Sequence, residues 1–243
     1  MNDIMFNKIK KVLFTVIILL IIVVSAGVYY FNDYYHADES ALEDVYQTEN
    51  ISVINVDTGL FLDSENNDTA IIFYPGAKVE YTAYLPLLMN ISKNNVDCFI
   101  VEMPFNFALF APDKADEIIN KYNYTNWYMS GHSLGGVAAS SYTNKHNDKI
   151  KGLILIASYP NEKIENTSVL TIYGSNDNVI TKDKYEKTEK YMPSNYTKYV
   201  IDGANHAQFA SYGNQSGDGV ANINPQLQKN ITVTKIMEFI NEV

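Results

Sequence analysis

Arginine is absent from this chain of 243 residues, and positive charge of any kind is scarce. The 18 basic residues are all lysines and stand against 28 acids, which gives a formal net charge of −10 at pH 7. A surface this acidic repels the phosphate backbone of DNA and RNA, so nucleic-acid binding is not expected. The same charge disfavours adsorption of the body to anionic lipid.

Cysteine is almost as scarce, because Cys98 is the single one. No intramolecular disulfide can form, and a folded body has to be stabilised by its core alone. Cys98 lies in the apolar run 96–101, which predicts a buried strand and a small core residue rather than a nucleophile. Hydrophobic residues make up 47 % of the chain and aromatic residues 13 %, which is typical of a globular protein.

One long hydrophobic run lies near the N-terminus. Residues 12–31 carry no charge, and Lys8, Lys10 and Lys11 precede them. Twenty helical residues span roughly 30 Å, the thickness of a bilayer core, so 12–31 predict a transmembrane signal anchor. The lysines predict a cytoplasmic segment 1–11 and a body outside the cytoplasm, at the cell membrane.

A cleaved signal peptide is the alternative for this segment, and it would make the protein secreted. Its apolar region would normally be about 7–15 residues, which is shorter than the run observed here. Ser25-Ala26-Gly27 is a weak cleavage site. Residues 32–50 are acidic and polar and predict a spacer or a peripheral helix before a single folded domain over 51–243, which the motifs below indicate to be catalytic.

The body alternates short apolar runs with helix-like segments. The runs are continuous, which is typical of parallel strands buried on both faces, and we expect a mainly parallel twisted sheet with helices on both faces. The predicted strands are 52–56, 59–63, 70–74, 96–103, 127–129, 153–157, 169–173 and 196–201, and the predicted helices are 80–94, 113–122, 134–145, 182–191 and 226–243.

A nucleophile motif lies between a predicted strand and a predicted helix. Gly131-His132-Ser133-Leu134-Gly135 fits G-x-S-x-G, in which the serine sits on a strained turn above the edge of the sheet. Gly131 and Gly135 are required there because a side chain at either position would collide with the neighbouring strand or helix. The context predicts that Ser133 is a nucleophile.

Elimination among four histidines selects the base. His36 lies beside the apolar segment, His132 is confined within the G-x-S-x-G turn (the nucleophile elbow), and His146 ends the helix that follows this turn. His206 remains, in a turn directly after a predicted strand, where the loops of such a sheet gather. We therefore expect His206 to accept the proton of Ser133.

A carboxylate is needed to orient the imidazole, and Asp177 follows the strand 169–173. Asp177 gives the chain order Ser, Asp, His that is expected of a sheet whose nucleophile lies on a G-x-S-x-G turn. Asp202 is the alternative acid, although it lies only four residues before His206. Asp183 is better interpreted as a helix-capping charge.

Two backbone N–H groups are expected to stabilise the oxyanion of the tetrahedral intermediate. One is that of Leu134, directly after the nucleophile, and the other is that of Ala77, in the loop after strand 70–74. Gly76 allows the turn in that loop.

From about residue 50 onward the body resembles the α/β-hydrolase superfamily, specifically the compact lidless group catalogued as alpha/beta hydrolase fold family 5. The similarity is carried by Tyr74-Pro75-Gly76-Ala77, Met103-Pro104-Phe105-Asn106, Gly131–Gly136, Gly174-Ser175-Asn176-Asp177, Gly203–Phe209 and Tyr212–Gly219. Many relatives have His-Gly where this chain has Pro75-Gly76, which leaves the backbone donor intact. We assign no physical role to Tyr212–Gly219 from the sequence.

The resemblance implies a lidless site, and the spacing agrees with it. Eleven residues, 158–168, separate the strand after the nucleophile helix from the strand before the acid, which is too short for a cap domain. An apolar loop follows the strand 96–103, and its side chains either line an acyl pocket or pack against the sheet edge: Phe105, Phe107, Leu109 and Phe110. The same two roles are open for Tyr81 and Tyr84, which lie near the loop that holds Ala77.

Together these features predict a serine hydrolase that cleaves ester-type acyl bonds of a small-molecule substrate through an acyl-enzyme, without metal or organic cofactor. The same triad would also serve an acyltransferase or a peptidase. A non-catalytic surface-binding module on a hydrolase fold is the alternative from another class. A degenerate copy of that kind would have lost a triad member or an elbow glycine, and none is missing here.

Overall fold

The computed structural model describes residues 2–46, 51–65 and 67–243, with side chains described for 5–43, 51–65 and 67–243. Residues 47–50, at the end of the predicted spacer, lie outside the described residues. The chain divides into two compact units, of which the first ends at Tyr34 and the second begins at Tyr35. Residues 35–46, which belong to the predicted spacer, are thus part of the larger unit.

The smaller unit is dominated by one helix, α1 (Asn2–Asn32). Its stretch Met5–Asn32 is 28 residues long and apolar enough to cross a membrane by length and composition. Apolar side chains are exposed all around this helix, as expected when no polar stripe is present.

The larger unit contains an eight-stranded sheet. Its strands are β1 (Ser52–Val56), β2 (Gly59–Asp63), β3 (Thr69–Tyr74), β4 (Asp97–Val101), β5 (Asn126–His132), β6 (Ile150–Ile156), β7 (Ser168–Gly174) and β8 (Tyr196–Ile201). They lie in the order β1-β2-β4-β3-β5-β6-β7-β8. The pairs β1–β2 and β2–β4 are antiparallel, and every other pair is parallel.

Helices cover both faces of this sheet. They are α2 (Glu39–Tyr46), α3 (Leu85–Ser92), α4 (Ala115–Ile119), α5 (Leu134–Lys145), α6 (Lys182–Thr188) and α7 (Pro225–Glu242). One core packs α3 and α7 against the sheet, and the other packs α4 and α5 against the opposite face. Strand β3 shows why the apolar runs are continuous: Ile71 and Phe73 enter the first core, and Ile72 and Tyr74 enter the second.

The predicted fold class is confirmed, and the element bounds differ at strand ends as well as helix ends. The predicted strands 96–103, 127–129 and 153–157 are β4, β5 and β6, of which the first is shorter than predicted and the other two begin earlier. The predicted helix 80–94 begins as a 3₁₀ turn, Tyr81–Tyr84, and Pro86 lies in the first turn of α3, where its missing N–H costs no helical hydrogen bond. The predicted helix 182–191 is α6 followed by a 3₁₀ turn, Glu189–Tyr191. Residues 157–167, between β6 and β7, form no helix or strand, so no cap is inserted there.

Candidate active site

The carboxyl ends of the parallel strands meet at one edge of the sheet, and the predicted catalytic residues lie there. Ser133 follows β5, Asp177 follows β7, and His206 follows β8. Neighbouring parallel strands present their following loops on the same side, which brings distant parts of the chain together.

The serine turn is strained in the way the motif requires. Ser133 has φ 52° and ψ −125°, a backbone conformation that costs a non-glycine residue about 1–3 kcal/mol. A Cβ added to Gly131 would lie 2.6 Å from the carbonyl carbon of Gly135, and one added to Gly135 would lie 2.2 Å from the carbonyl oxygen of Tyr74. The two glycines thus allow a turn that packs closely on itself and on the end of β3.

The carboxylate of Asp177 is fully hydrogen-bonded. Oδ1 accepts from the backbone N–H groups of Val179 and Ile180, each at 2.9 Å. Oδ2 accepts from the hydroxyl of Tyr185 at 3.1 Å and pairs with Nδ1 of His206 at 2.9 Å. Burial and the Asp177 charge raise the pKa of Tyr185 well above its ordinary value, so its hydroxyl remains a donor.

The ring of His206 is oriented by that pair. A carboxylate can only accept, so Nδ1 carries the proton and Nε2 presents a lone pair. Nε2 is buried and has no hydrogen-bond partner among the described residues, which include Ser133. Hydrogen bonds between nucleophile and base are often long in ligand-free sites, and Ser133 as the third member of a triad stays a prediction.

A chain of hydrogen bonds, here called the relay, joins two loops at this edge. The oxyanion loop is residues 75–80, after β3, and the histidine loop is residues 202–224, between β8 and α7. The backbone N–H of Gly76 donates to the hydroxyl of Tyr84 at 3.0 Å, and that hydroxyl lies 2.9 Å from Nδ1 of His132. Nε2 of His132 lies 3.1 Å from the backbone oxygen of His206. Because a carbonyl only accepts, Nε2 of His132 carries the proton and Nδ1 accepts from Tyr84.

Both ring nitrogens of His132 are therefore engaged by Tyr84 and His206 rather than by Ser133. Desolvation and the neighbouring His206 ring lower the pKa of His132 well below its ordinary value, so it stays neutral. His146 caps the end of α5, and His36 lies 3.4 Å from Glu80. Neither of these two histidines contacts Asp177.

The predicted oxyanion donors lie on either side of the same close contact. Gly135 packs against the backbone of Tyr74 and Pro75, which places the start of α5 beside the loop that holds Ala77. Within the described residues, no backbone hydrogen bond uses the N–H of Ala77 or of Leu134. Two available N–H groups are what an oxyanion site requires, and the assignment of these two remains a prediction.

A family model described as the alpha/beta hydrolase family matches residues 70–230. The chain belongs to the alpha/beta hydrolase family. The resemblance stated from the sequence motifs is confirmed by this match.

Solved hydrolases show the same fold. The alpha/beta hydrolase MGS-MChE2, from a metagenome of lagoon sediments, has a TM-score of 0.60 at 15 % identity and covers 77 % of this chain and 98 % of its own. Est1E from Butyrivibrio proteoclasticus has a TM-score of 0.58 at 14 % identity, covering 79 % and 100 %. Dienelactone hydrolase from Anabaena variabilis has 0.56 at 10 % identity, covering 78 % and 99 %. A comparison with curated protein sequences finds no match.

The alternative acid of this hydrolase lies away from the histidine ring. Asp202 is exposed, and Oδ1 of its carboxylate accepts from the Ser175 hydroxyl at 3.2 Å. Asp183 lies in the first turn of α6. Of the three acids considered, Asp177 is the one paired with His206.

The stretch Tyr212–Gly219, to which we assigned no role from the sequence, supports the histidine loop. The carboxylate of Asp218 accepts from the backbone N–H of His206 at 3.2 Å and of Ala207 at 2.8 Å. The amide of Asn205 donates to the backbone oxygen of Gly219 at 2.8 Å. No periodicity marks such a residue, and its Asp-Gly pair alone signals only a turn.

The loop after β4 is apolar and open to solvent. Phe105, Leu109 and Phe110 are 64 %, 50 % and 56 % exposed. Phe110 contacts the rings of Phe105 and Phe107. A backbone hydrogen bond joins this loop to the oxyanion loop: the N–H of Lys78 donates to the backbone oxygen of Asn106 at 2.9 Å. Its use as an acyl pocket stays a prediction.

Proposed function

We propose that this chain is a serine hydrolase that cleaves ester-type acyl bonds of small-molecule substrates through an acyl-enzyme. The observation that carries the proposal is the buried His206 ring, whose Nδ1 is held by Asp177 and whose Nε2 has no hydrogen-bond partner in the part of the chain that the structure describes. A base poised in this way needs a hydroxyl to deprotonate, and the elbow serine lies at the same sheet edge.

The reaction follows from these groups. Ser133 Oγ attacks the ester carbonyl while Nε2 of His206 takes its proton, and Asp177 stabilises the resulting imidazolium. The N–H groups of Ala77 and Leu134 stabilise the oxyanion. His206 then protonates the departing alcohol, and a water molecule activated by the same ring hydrolyses the acyl-enzyme.

Labelling by a serine-directed fluorophosphonate tests the proposal. We expect wild type to be labelled and Ser133→Ala to lose the label, while Ser141→Ala on α5 keeps it as a matched control. An unlabelled wild type, or an equally labelled Ser133→Ala, contradicts the proposal. The first of these outcomes favours a non-catalytic binding module.

A substrate panel separates the reactions that one triad can serve. p-Nitrophenyl esters from acetate to laurate, a thioester and a peptide anilide are offered to the labelled enzyme. Without a cap, we expect faster turnover of short acyl chains than of long ones. Preferential transfer of the acyl group to an added alcohol would identify an acyltransferase, and cleavage of the anilide alone would identify a peptidase.

The N-terminal helix completes the proposal with a location. We propose that residues 12–31 anchor the protein in the cell membrane as a single pass, with the body outside the cytoplasm. External protease should then degrade the body in intact cells, and the membrane fraction should retain the full-length chain. A shortened chain in the medium would instead indicate a cleaved signal peptide.

A further inference from the structure

A short segment just after the predicted membrane helix is built into the site edge. Tyr35 forms a parallel bridge with Val79. Its N–H donates to the oxygen of Lys78 at 2.7 Å, and its own oxygen accepts from the N–H of Glu80 at 2.9 Å. Tyr35 therefore pairs with the oxyanion loop in the manner of a short parallel strand. Its partner Val79 lies two residues after Ala77.

The side chain of the same tyrosine reaches the histidine loop. Its ring lies 5.3 Å from that of Tyr212, and its hydroxyl accepts from the N–H of Ser216 at 3.1 Å. Tyr212 and Ser216 lie between His206 and Asp218, whose carboxylate holds the His206 backbone. One residue thus contacts both loops that hold the proposed reacting groups.

Asp38 adds a second attachment to the histidine loop. Its backbone N–H donates to the oxygen of Ser211 at 2.8 Å. Nζ of the buried Lys229 donates to the hydroxyl of Ser211 at 2.8 Å. Burial lowers the pKa of Lys229, and the Asp38 carboxylate opposes that shift.

We infer that residues 35–38 form a clamp between the oxyanion loop and the histidine loop, with Tyr35 as its positioning residue. The inference rests on the proposed function, because the two loops hold Ala77 N–H and His206 Nε2. The rate of acylation depends on the distance between such groups, and misplacement by about 1 Å can cost on the order of 100-fold. The clamp lies outside residues 70–230, which the family model matches.

The test uses the full-length chain in detergent. Tyr35→Phe keeps the ring and the backbone bridge but removes the acceptor of the Ser216 N–H. Tyr199→Phe, on β8, is the matched control. The readouts are the rate of fluorophosphonate labelling, kcat and KM for p-nitrophenyl acetate, and the unfolding temperature.

We expect Tyr35→Phe to lower the labelling rate and kcat about fivefold with KM unchanged, as the loss of one positioning hydrogen bond implies. Tyr35→Ala should lower them further, and Tyr199→Phe should leave both unchanged. The clamp is refuted if both Tyr35 variants stay within about twofold of wild type, or if their losses simply follow the unfolding temperature.

Amide hydrogen exchange tests the clamp separately from catalysis. Tyr35→Phe should accelerate exchange at Ser216, and Tyr199→Phe should not. An unlabelled wild type with this exchange pattern would refute the proposed function while keeping the clamp. Unchanged exchange at Ser216 in Tyr35→Phe would refute the clamp.

Discussion

Oδ2 of Asp177 and Nδ1 of His206 lie 2.9 Å apart, and each side chain is only 1 % exposed. A carboxylate so deeply buried is stable only when its oxygens accept hydrogen bonds, and besides His206 the donors are Val179, Ile180 and Tyr185. The pair is the basis of the first prediction.

Asp177→Asn should lower kcat on the order of 10⁴-fold. An amide retains the two backbone contacts of Oδ1 but can donate to Nδ1, which favours the wrong tautomer and leaves no negative charge beside the imidazolium. Steady-state hydrolysis of p-nitrophenyl acetate measures this loss of kcat. Asp202→Asn is the control and should keep wild-type kcat; the reverse pattern would make Asp202 the acid.

Tyr84→Phe should lower both kcat and stability, because the Gly76 N–H and Nδ1 of His132 each lose a buried partner. Leaving such groups unpaired costs about 1–3 kcal/mol. Tyr142→Phe is the matched control: it is equally buried and donates to Asp116 at 2.7 Å, remote from the site. It should lower the unfolding temperature alone. Equal kcat losses in the two variants would contradict a specific role for the relay.

Asp218→Asn should slow fluorophosphonate labelling roughly tenfold, because the N–H groups of His206 and Ala207 lose an ionised acceptor. Asp113→Asn removes the same charge from an exposed pair with Lys145 and serves as the control. The labelling rate of Ser133 is the measurement. A labelling rate in Asp218→Asn equal to that of the control would show that the histidine loop does not need this carboxylate.

Acid should destabilise the protein through His132. In the unfolded chain this ring takes up a proton near its ordinary pKa of 6.5, whereas burial lowers the folded pKa well below that value. The unfolded state then binds more protons, so the free energy of unfolding falls as pH drops below 6.5, by on the order of 1.4 kcal/mol per pH unit. Urea unfolding between about pH 8 and pH 5 measures this. In His132→Asn the free energy of unfolding should fall less steeply with decreasing pH than in wild type. Equal slopes in the two proteins would show that His132 is not the group responsible.

The thiol of Cys98 should be inert in the native state. Cys98 is fully buried, and burial raises the pKa of its thiol to about 12. A thiol that stays protonated and inaccessible does not react with maleimide at neutral pH. We expect no modification of the native protein and one modified cysteine per chain after unfolding in guanidinium. Rapid native modification would contradict the burial of β4.

The sequence by itself determined the sheet, the helix that follows Ser133, and the acid Asp177 that pairs with His206. Strand bounds at 196–201 and helix bounds at 134–145 agree with the structure, because buried runs and the glycine turn before α5 are local signals. The helix predicted over 113–122 is the shorter α4. Helix ends are decided by capping and by neighbouring contacts, which the periodicity of a segment does not report.

Only the tertiary structure decided what supports the site. Asp218 holds a backbone 11 residues away, Tyr84 meets a ring 48 residues away, and Tyr35 accepts from an amide 181 residues away. A repeating pattern arises when one element buries one face, so it reveals helices and strands. Hydrogen bonds between loops depend on where folding brings their ends, and no spacing along the chain encodes that.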